Sequence, residues 1–322
     1  MTYNRPWKSY TEQLALLKSR GLTITDDAAA LSQLERIGYY RLSAYWYPFR
    51  VFQVSLDPAT KKLTQTRTDQ FTPKTQLLDA VNLYLFDKQL RLLVLDALER
   101  IEVALRVDIA YLLGERSAFA HLEIKQFHPK FAGKTHKSGK TTHDEWLEKY
   151  TDRVHRSKED FVKHYHQKHG QNLPVWVAIE VWDFGLMSQM FAMMNVADQE
   201  KISTKYGLTD WQVFQSWLRS LNYLRNLAAH HSRLWNRNII DQPKLPAKGS
   251  VNWCDDFLGK ADLIAKPFLL LAICRHLTLK ICPGTQWHNR LKALLLAFPD
   301  QFSDQKRSIQ DMGVTEGWER WW

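Results

Sequence analysis

The sequence feature that most constrains the fold is an uninterrupted helical pattern over residues 74–114. Proline and glycine are absent from it until Gly114, and apolar side chains recur at Leu85, Leu92, Leu95, Leu98, Ile101 and Leu105. Residues three, four and seven apart lie on one face of a helix, so these side chains form a long apolar face. The pattern predicts one long helix or two consecutive helices.

Shorter helical patterns lie on both sides of this segment. One covers residues 10–20 and ends before Gly21, and residues 25–27 offer N-cap side chains to a second helix. Further helices are predicted after Pro174, as one buried helix over residues 175–194 that is kinked near Gly185, and over residues 210–237 and 254–298.

Strand signals are confined to residues 51–67, which alternate apolar and polar side chains around Asp57 and Pro58. This segment predicts a short β-hairpin or an ordered loop. The sequence as a whole therefore predicts an all-α bundle with one small insertion. We expect an N-terminal helical and aromatic region over residues 1–70 and an α-helical domain over residues 71–322, unless the two form one continuous fold.

A surplus of positive charge indicates a polyanionic partner. Among the 322 residues, 44 Lys and Arg stand against 34 Asp and Glu, which gives a formal net charge of +10 at pH 7. Nucleic acid is the commonest partner of such a chain, although a basic surface also serves solubility or contacts acidic lipids.

Cysteine usage and hydropathy indicate the cell compartment. Cys254, Cys274 and Cys282 form no CxxC pair, and their odd number argues against a disulfide framework, so a reducing cytoplasm is expected. The N-terminus lacks the apolar core of a secretion signal, and the apolar run at residues 268–274 is far shorter than the ~18 residues of a membrane span. We expect a soluble cytoplasmic protein.

Residues 39–50 are dense in aromatic side chains and include two arginines. Aromatic residues of this kind usually pack in a core. The alternative is a stacking platform for unpaired bases, in which Tyr40 and Arg41 bind RNA. Both interpretations stay open at the level of sequence.

Histidine and lysine accumulate between residues 121 and 169. Eight of the 12 histidines fall there, but their spacing matches no zinc pattern and no cysteine lies nearby, so no metal site is predicted. Residues 125–140 contain five lysines and no acidic residue, which predicts a mobile basic loop, either solvated or acting as a phosphate-contacting lid.

Residues 225–237, RNLAAHHSRLWNR, contain the most useful set of side chains for chemistry. If the helix continues through them, one polar stripe consists of Asn226, His230, Arg233 and Arg237. The opposite, apolar side carries Leu224, Ala228 and Trp235. His231 points toward that apolar side, whereas Arg225 lies at the edge of the stripe with Ser232 and Asn236.

A histidine, an arginine and an amide together suit attack of an RNA 2′-hydroxyl on its own phosphodiester. An imidazole can transfer protons at neutral pH, which makes His230 the candidate acid or base. The guanidinium of Arg225 can hold the scissile phosphate and stabilise charge in the transition state. A solvated polar face without chemistry is the alternative.

The stretch LRNLAAHHSRLWNR resembles the RNxxxH signature of HEPN ribonucleases, in the version found in AbiD/AbiF-like abortive-infection (Abi) proteins. Other blocks resemble the same family in the same order and span nearly the whole chain: EQLALLKSRGL, IGYYRLSAYWYPF, LYLFDKQLRLLVLDALERIEVALR, LPVWVAIEVWDFG and MGVTEGWERWW. The resemblance implies an HEPN-like α-helical bundle that cleaves RNA in phage defence without a metal ion or other cofactor.

Position by position, the resemblance assigns catalysis to Arg225, Asn226 and His230. It also implies supporting or RNA-binding roles for His231, Arg233, Asn236 and Arg237. Glu102 and Arg106 stand one helical turn apart and are expected to pair with each other or to brace the motif helix. Since cleavage needs both a base and an acid, the single motif implies a homodimer with a composite site.

Three functions follow from these features. The first is a cytoplasmic endoribonuclease of abortive infection. The second is a non-cleaving RNA-binding protein that senses or scaffolds a small RNA in phage defence. The third is an interaction protein whose helical bundle recognises a phage or toxin partner, with the basic charge incidental.

Overall fold

The computed structural model describes residues 6–57, 63–299 and 307–322, which form an α-helical bundle with one small hairpin. Its α-helices are α1 (Tyr10–Ser19), α2 (Asp27–Ile37), α3 (Tyr39–Trp46), α4 (Leu77–Arg116), α5 (Pro129–Ala132), α6 (Thr142–Arg156), α7 (Asp160–His169), α8 (Val175–Ala178), α9 (Phe184–Met193), α10 (Val196–Lys205), α11 (Trp211–Ala229), α12 (Ala261–Ile264), α13 (Pro267–Ile281) and α14 (Trp287–Leu296). Short 3₁₀ helices lie at Tyr47–Phe49, Ala120–Leu122, Ile124–Gln126, Ile179–Val181, Asn252–Phe257, Ile309–Met312 and Trp318–Arg320.

The hairpin consists of β1 (Arg50–Leu56) and β2 (Leu63–Phe71), which pair antiparallel. Phe52 stands opposite Arg67, and Leu56 stands opposite Leu63. The predicted helical bundle with a small hairpin insertion is therefore confirmed.

The N-terminal helices begin where the sequence supplies caps. The Ser9 amide donates to the Glu12 carboxylate at 2.7 Å, and the Ser9 hydroxyl accepts from the Glu12 amide at 3.3 Å. At the start of α2, the Asp26 carboxylate accepts from the Ala29 amide at 2.9 Å. These bonds satisfy amides that lack partners within the first helical turn. Both helices that the sequence predicts in this region are confirmed.

The long central pattern forms a single helix, α4, of 40 residues. It packs against α3, α8, α9, α11, α13 and α14. Leu98, Ile101 and Leu105 are buried as expected, but Leu85 and Leu92 are 45% and 59% exposed, so this part of the predicted apolar face is wrong. The reason is that neighbouring elements cover α4 from several sides, and its buried surface is not one straight stripe.

Residues 175–194 form two α-helices with the 3₁₀ helix Ile179–Val181 between them, so the prediction of one kinked helix is wrong. The chain leaves the helical conformation at Trp182 and Asp183, where ψ is 133° and 171°. The Asp183 carboxylate accepts from the Leu186 amide at 2.9 Å and thereby starts α9. An aspartate whose side chain accepts a hydrogen bond from a nearby backbone amide favours the start of a helix over its interior.

The segment of residues 125–140, which is predicted to be a mobile basic loop, contains regular backbone structure. It contains part of the 3₁₀ helix Ile124–Gln126 and the whole of α5, and Thr135 forms a backbone bridge with Thr141. The Lys140 ammonium pairs with Glu148 of α6.

The helix α11 ends at Ala229, so the predicted helix over residues 210–237 is wrong at its C-terminal end. The Ser232 amide donates to the Leu227 carbonyl at 2.9 Å, and the His231 amide donates to the Ala228 carbonyl at 3.1 Å. His231 has a φ of 55°, in the left-handed region that normally favours glycine. These features form a Schellman cap, which turns the chain away from the helix axis.

A buried carboxylate fixes the direction that the chain takes after this cap. Asp87 of α4 is fully buried, and its oxygens accept from the amides of Leu234 at 3.1 Å and Trp235 at 2.7 Å. The same carboxylate accepts from the Tyr45 hydroxyl at 2.7 Å and pairs with Arg91. Amides bound in this way cannot continue the hydrogen bonds of α11, and Ser232, Leu234 and Trp235 are held against α4.

The remaining expectations from composition concern thiols and membranes. Cys254, Cys274 and Cys282 are free thiols. Within the described ranges, no helix is both long enough and apolar enough to cross a membrane.

His121 lies in an aromatic part of the core, against Tyr150 and Trp182 at ring-centroid distances of 5.2 and 6.0 Å. The side chain is fully buried, and neither ring nitrogen has a partner among the described residues. Burial lowers the pKa of His121 to about 4. The folded protein therefore contains the neutral imidazole at neutral pH.

We predict that His121→Phe reduces the acid sensitivity of the fold. Because the pKa is lower in the folded chain, the unfolded chain binds the proton first. The stability that the neutral His121 contributes is therefore fully present above about pH 6.5 and is lost as the pH falls toward about 4. When the pH falls from about 7.5 to about 5, the free energy of unfolding, measured in urea, should decrease by roughly 2 kcal/mol more for wild type than for the variant. Exposed His155→Phe is the control and should behave like wild type; equal losses in all three proteins would contradict this role of His121.

We predict that His231→Gly stabilises the protein. Glycine adopts a positive φ without the clash of a Cβ, so the free energy of unfolding should rise by roughly 0.5–1 kcal/mol. The neighbouring His230 has a φ of −87°, and His230→Gly should instead lower stability by up to ~1 kcal/mol. Urea unfolding of the two variants measures this difference, and equal destabilisation by both would rule out the cap described above.

Candidate active site

A polar cleft of about 540 Å³ lies between α6, the start of α9 and the end of α11. From α11 and its C-cap, the lining residues are Asn222, Arg225, Asn226 and His230. The structure thus brings Arg225, Asn226 and His230, the three residues expected to be catalytic, into one cleft.

The α11 wall of the cleft follows from helical spacing. Asn222, Asn226 and His230 are four residues apart and therefore lie on the same face. The His230 amide still donates to the Asn226 carbonyl at 3.0 Å, so His230 closes the last turn. Asn226 and His230 are exposed and Arg225 is half-buried. Their polar groups are accessible to a ligand in the cleft.

The opposite wall is the polar face of α6, with Lys149, Asp152, Arg153 and Arg156. Their spacing of three, four and seven residues puts them on one side of the helix, while Trp146, Tyr150 and Val154 of the other side are buried. Counting both walls and the start of α9, four Lys and Arg side chains line the cleft against two carboxylates. This excess of positive charge favours an anionic ligand.

Asp183 connects the α6 wall to the start of α9. Its carboxylate pairs with Arg153 of α6 while it caps α9. Two residues later, a Cβ at Gly185 would lie 3.2 Å from the Asp183 carboxylate and 3.5 Å from the Asn222 side-chain oxygen. The absence of a side chain at Gly185 therefore allows α9 to approach α11 closely at the cleft.

Glu102 and Arg106 of α4 pair with each other at 2.5 Å. Arg106 also donates to the Trp182 carbonyl at 2.7 Å, so it braces the segment that carries Asp183 and not the motif helix itself. Burial raises the pKa of Glu102, and the nearby guanidinium groups of Arg106 and Arg225 oppose that rise. The charges of Glu102 and Arg225 therefore attract each other between α4 and α11.

The predicted polar stripe does not form, because it required a helix beyond Ala229. Arg233 donates to the Ala44 carbonyl at 2.6 Å, and burial lowers the pKa of its guanidinium. Arg237 donates to the Tyr223 hydroxyl at 3.3 Å. The side-chain oxygen of Asn236 is buried without a partner among the described residues. None of these three side chains lines the cleft.

His231 and the two α3 residues expected to bind RNA also lie outside the cleft. Arg41 donates to the His231 carbonyl at 2.9 Å and so connects α3 to the cap of α11. Tyr45 and Trp46 are buried in the core, which supports the packing interpretation for most of the aromatic segment. Tyr40 differs from them, because it is 91% exposed.

Sequence reasoning missed several residues of the cleft: Asn222, Lys149, Asp152, Arg153, Arg156 and Asp183. Asn222 lies one turn before Asn226, and the α6 residues have the spacing of a polar helical face. These signals identify polar faces, but they do not indicate that the two faces meet.

The histidines between residues 121 and 169 are dispersed in space. His121 and His143 are buried, and the His143 ring bonds the His121 carbonyl at 3.0 Å, whereas His155 and His164 are exposed. In the part of the chain that the structure describes, no group of three or more His, Cys, Asp or Glu side chains could hold a metal ion.

A family model described as an Abi-like protein matches residues 32–236, which is more than half of the chain. No curated protein and no solved structure matches the chain. The matched region runs from α2 to the segment held by Asp87 and includes every residue that lines the cleft. The chain therefore belongs to the family of Abi-like proteins, the proteins of abortive infection.

Proposed function

We propose that the chain is an endoribonuclease of abortive-infection phage defence, which cleaves RNA at an HEPN-type site without a metal ion. The observation that supports this proposal most strongly is the cleft in which Arg225, Asn226 and His230 stand opposite the cationic face of α6. The spacing of Arg225, Asn226 and His230 matches the RNxxxH signature.

The proposed reaction is an internal transfer at phosphorus. The ribose 2′-oxygen loses its proton and forms a bond to the adjacent phosphorus, and the bond from phosphorus to the 5′-oxygen breaks. The 5′-oxygen takes up a proton. The products are a 2′,3′-cyclic phosphate and a 5′-hydroxyl, and no oxidant or other co-reactant is consumed.

Each of these residues of the cleft has a separate role in the proposed reaction. Arg225 binds the non-bridging oxygens of the scissile phosphate and stabilises their charge in the transition state, and Asn226 donates an amide hydrogen bond. His230 transfers a proton. Lys149, Arg153 and Arg156 hold neighbouring phosphates along the other wall, which fixes the strand relative to His230.

Cleavage requires two proton transfers, and among the residues that line the cleft His230 is the one imidazole. We infer that a second copy of the chain supplies the second imidazole. A two-fold axis near His230 brings two such residues to one phosphate. Because His230 and Asn226 are exposed, they are accessible to a partner subunit.

The surface proposed for this homodimer is an apolar stripe on α4. Val103, Val107 and Tyr111 follow one another at helical spacing and are 52%, 61% and 71% exposed. Trp176, which is 50% exposed, extends the stripe across a shallow groove of about 570 Å³. Apolar surface of this kind favours contact with a protein partner.

Two further observations support a second copy as the occupant of this stripe. Arg106 and Glu180 pair with each other at 3.4 Å at its edge, so an apolar centre is bordered by a polar rim, as in protein interfaces. Arg106 also holds the Trp182 carbonyl beside the cleft residue Asp183, so the stripe borders the candidate active site.

A non-cleaving RNA-binding protein is the second candidate function. The observation that favours it is the single imidazole of the cleft, because a chain that stays monomeric would bind phosphates without completing both proton transfers. Such a protein would sense or scaffold a small RNA, and its affinity would fall steeply with salt.

We predict that the purified protein cleaves single-stranded RNA in the presence of EDTA. His230→Ala should reduce the rate by about 10²–10⁴-fold because a proton carrier is lost, and Arg225→Ala should reduce it by at least ~10²-fold. Gel analysis of end-labelled RNA measures the rate and identifies the cyclic phosphate.

The matched control is Arg219→Ala, which removes an exposed arginine from the same helix outside the cleft. This variant should retain at least half of the wild-type rate. Intact RNA bound by the wild-type protein would favour the non-cleaving function, and equal activity of the Arg225 and Arg219 variants would eliminate the proposed site.

We predict that Val107→Asp converts a homodimer into a monomer. A carboxylate in the centre of the α4 stripe would have to lose its water on association. Light scattering coupled to size-exclusion chromatography measures the mass. Leu78→Asp is the control, because Leu78 is 52% exposed near the other end of α4, and this variant should remain dimeric. A monomeric wild-type protein would disprove this assembly.

A further inference from the structure

An aromatic groove of about 1080 Å³ lies between residues 6–10, α1 and the α2–α3 turn. Its walls include Trp7, Tyr10, Leu16, Leu34, Tyr39 and Tyr40. This surface is larger than the cleft, and none of its residues lines that cleft.

Three of these aromatic side chains are exposed to an unusual degree. Tyr40 is 91% exposed, Trp7 is 85% exposed and Tyr10 is 47% exposed. Single exposed apolar residues are common on protein surfaces, but large aromatic residues are on average well buried. The core in this region is formed by Tyr45, Trp46 and Phe49, all of which are buried. The groove aromatics therefore present ring faces to solvent that packing does not use.

A single side-chain contact connects α3, which carries Tyr40, to the cap of α11, which carries His230. Arg41 follows Tyr40 in α3 and donates to the His231 carbonyl at 2.9 Å. His231 in turn follows His230, which lines the cleft. Tyr40 of the groove and His230 of the cleft are thus each next in sequence to one of the two residues that form this contact.

The charges around the groove fit a polyanionic strand. Lys8 and Arg20 line it, with Glu35 as its single carboxylate. The Arg20 guanidinium is held in place by the Tyr39 hydroxyl at 2.9 Å and the Asp69 carboxylate at 2.7 Å. Aromatic faces flanked by cations are the combination that binds unpaired bases, because rings stack on bases while cations attract phosphates.

We propose that the groove is a binding subsite for unpaired RNA bases, which stack on Trp7, Tyr10 and Tyr40. This inference rests on the proposed function and names its substrate class as single-stranded RNA. Bases within a duplex stack on one another and cannot open onto protein rings. The groove thus selects unpaired segments over duplex RNA.

The test measures binding separately from cleavage. Full-length protein carrying His230→Ala is titrated into a fluorescein-labelled single-stranded oligoribonucleotide and into a duplex of the same length, with anisotropy as the readout. Adding Tyr40→Ala or Trp7→Ala should weaken single-strand binding by roughly 5- to 100-fold, the range for loss of one stacked base. Duplex binding should stay unchanged. Tyr40→Phe and Trp7→Phe should retain the parental affinity because they keep a ring.

Phe119→Ala is the matched control, since Phe119 is 39% exposed and does not line the groove. It should bind like the parent. Single-strand affinity that is unchanged by both alanine substitutions would overturn the inference and leave the groove to another ligand, such as a protein. A parent that binds no single-stranded RNA would overturn it as well.

Failure of this inference is distinguishable from failure of the proposed function. Cleavage by the wild-type chain together with unchanged binding of the groove variants would remove the subsite and leave the nuclease. Ring-dependent binding by a wild-type chain that leaves RNA intact would support the subsite and remove the nuclease.

Discussion

The buried carboxylate of Asp87 is the interaction on which the arrangement of the cleft depends. It joins the Tyr45 hydroxyl of α3, the Arg91 guanidinium of α4 and two backbone amides that follow α11. A buried charge with this many partners is satisfied, whereas loss of one partner leaves a charge without compensation. The carboxylate holds Leu234 and Trp235 against α4, and His230 lines the cleft.

The cleft combines one wall built by local rules with another that depends on distant contacts. Helical spacing alone places Asn222, Asn226 and His230 together on α11. The cationic face of α6 reaches them because Asp183 pairs with Arg153, and because Arg106 of α4 holds the Trp182 carbonyl. The ion pair of Glu102 and Arg106 thus affects the site by positioning a neighbouring segment, and it does not itself line the cleft.

Much of the fold could be predicted from sequence, because its signals are local. The caps at Ser9 and Asp26, the alternation in the hairpin and the unbroken pattern of α4 each involve residues close in the chain. The end of α11 could not be predicted in this way. Its cap has a histidine where glycine is usual, and the carboxylate that holds the following residues lies on another helix. The α6 wall was missed for a similar reason, since spacing identifies a polar face without its partner.

The length of α4 has a mechanical consequence for the molecule. A continuous helix of 40 residues is about 60 Å long, and it carries Asp87 in its first half and Arg106 in its second. Asp87, which holds the residues after α11, and Arg106, which holds the residue before Asp183, thus belong to one continuous helix. Fraying of this helix would release both attachments, so the residues of the cleft and of α3 should lose their amide-exchange protection as a single cooperative unit.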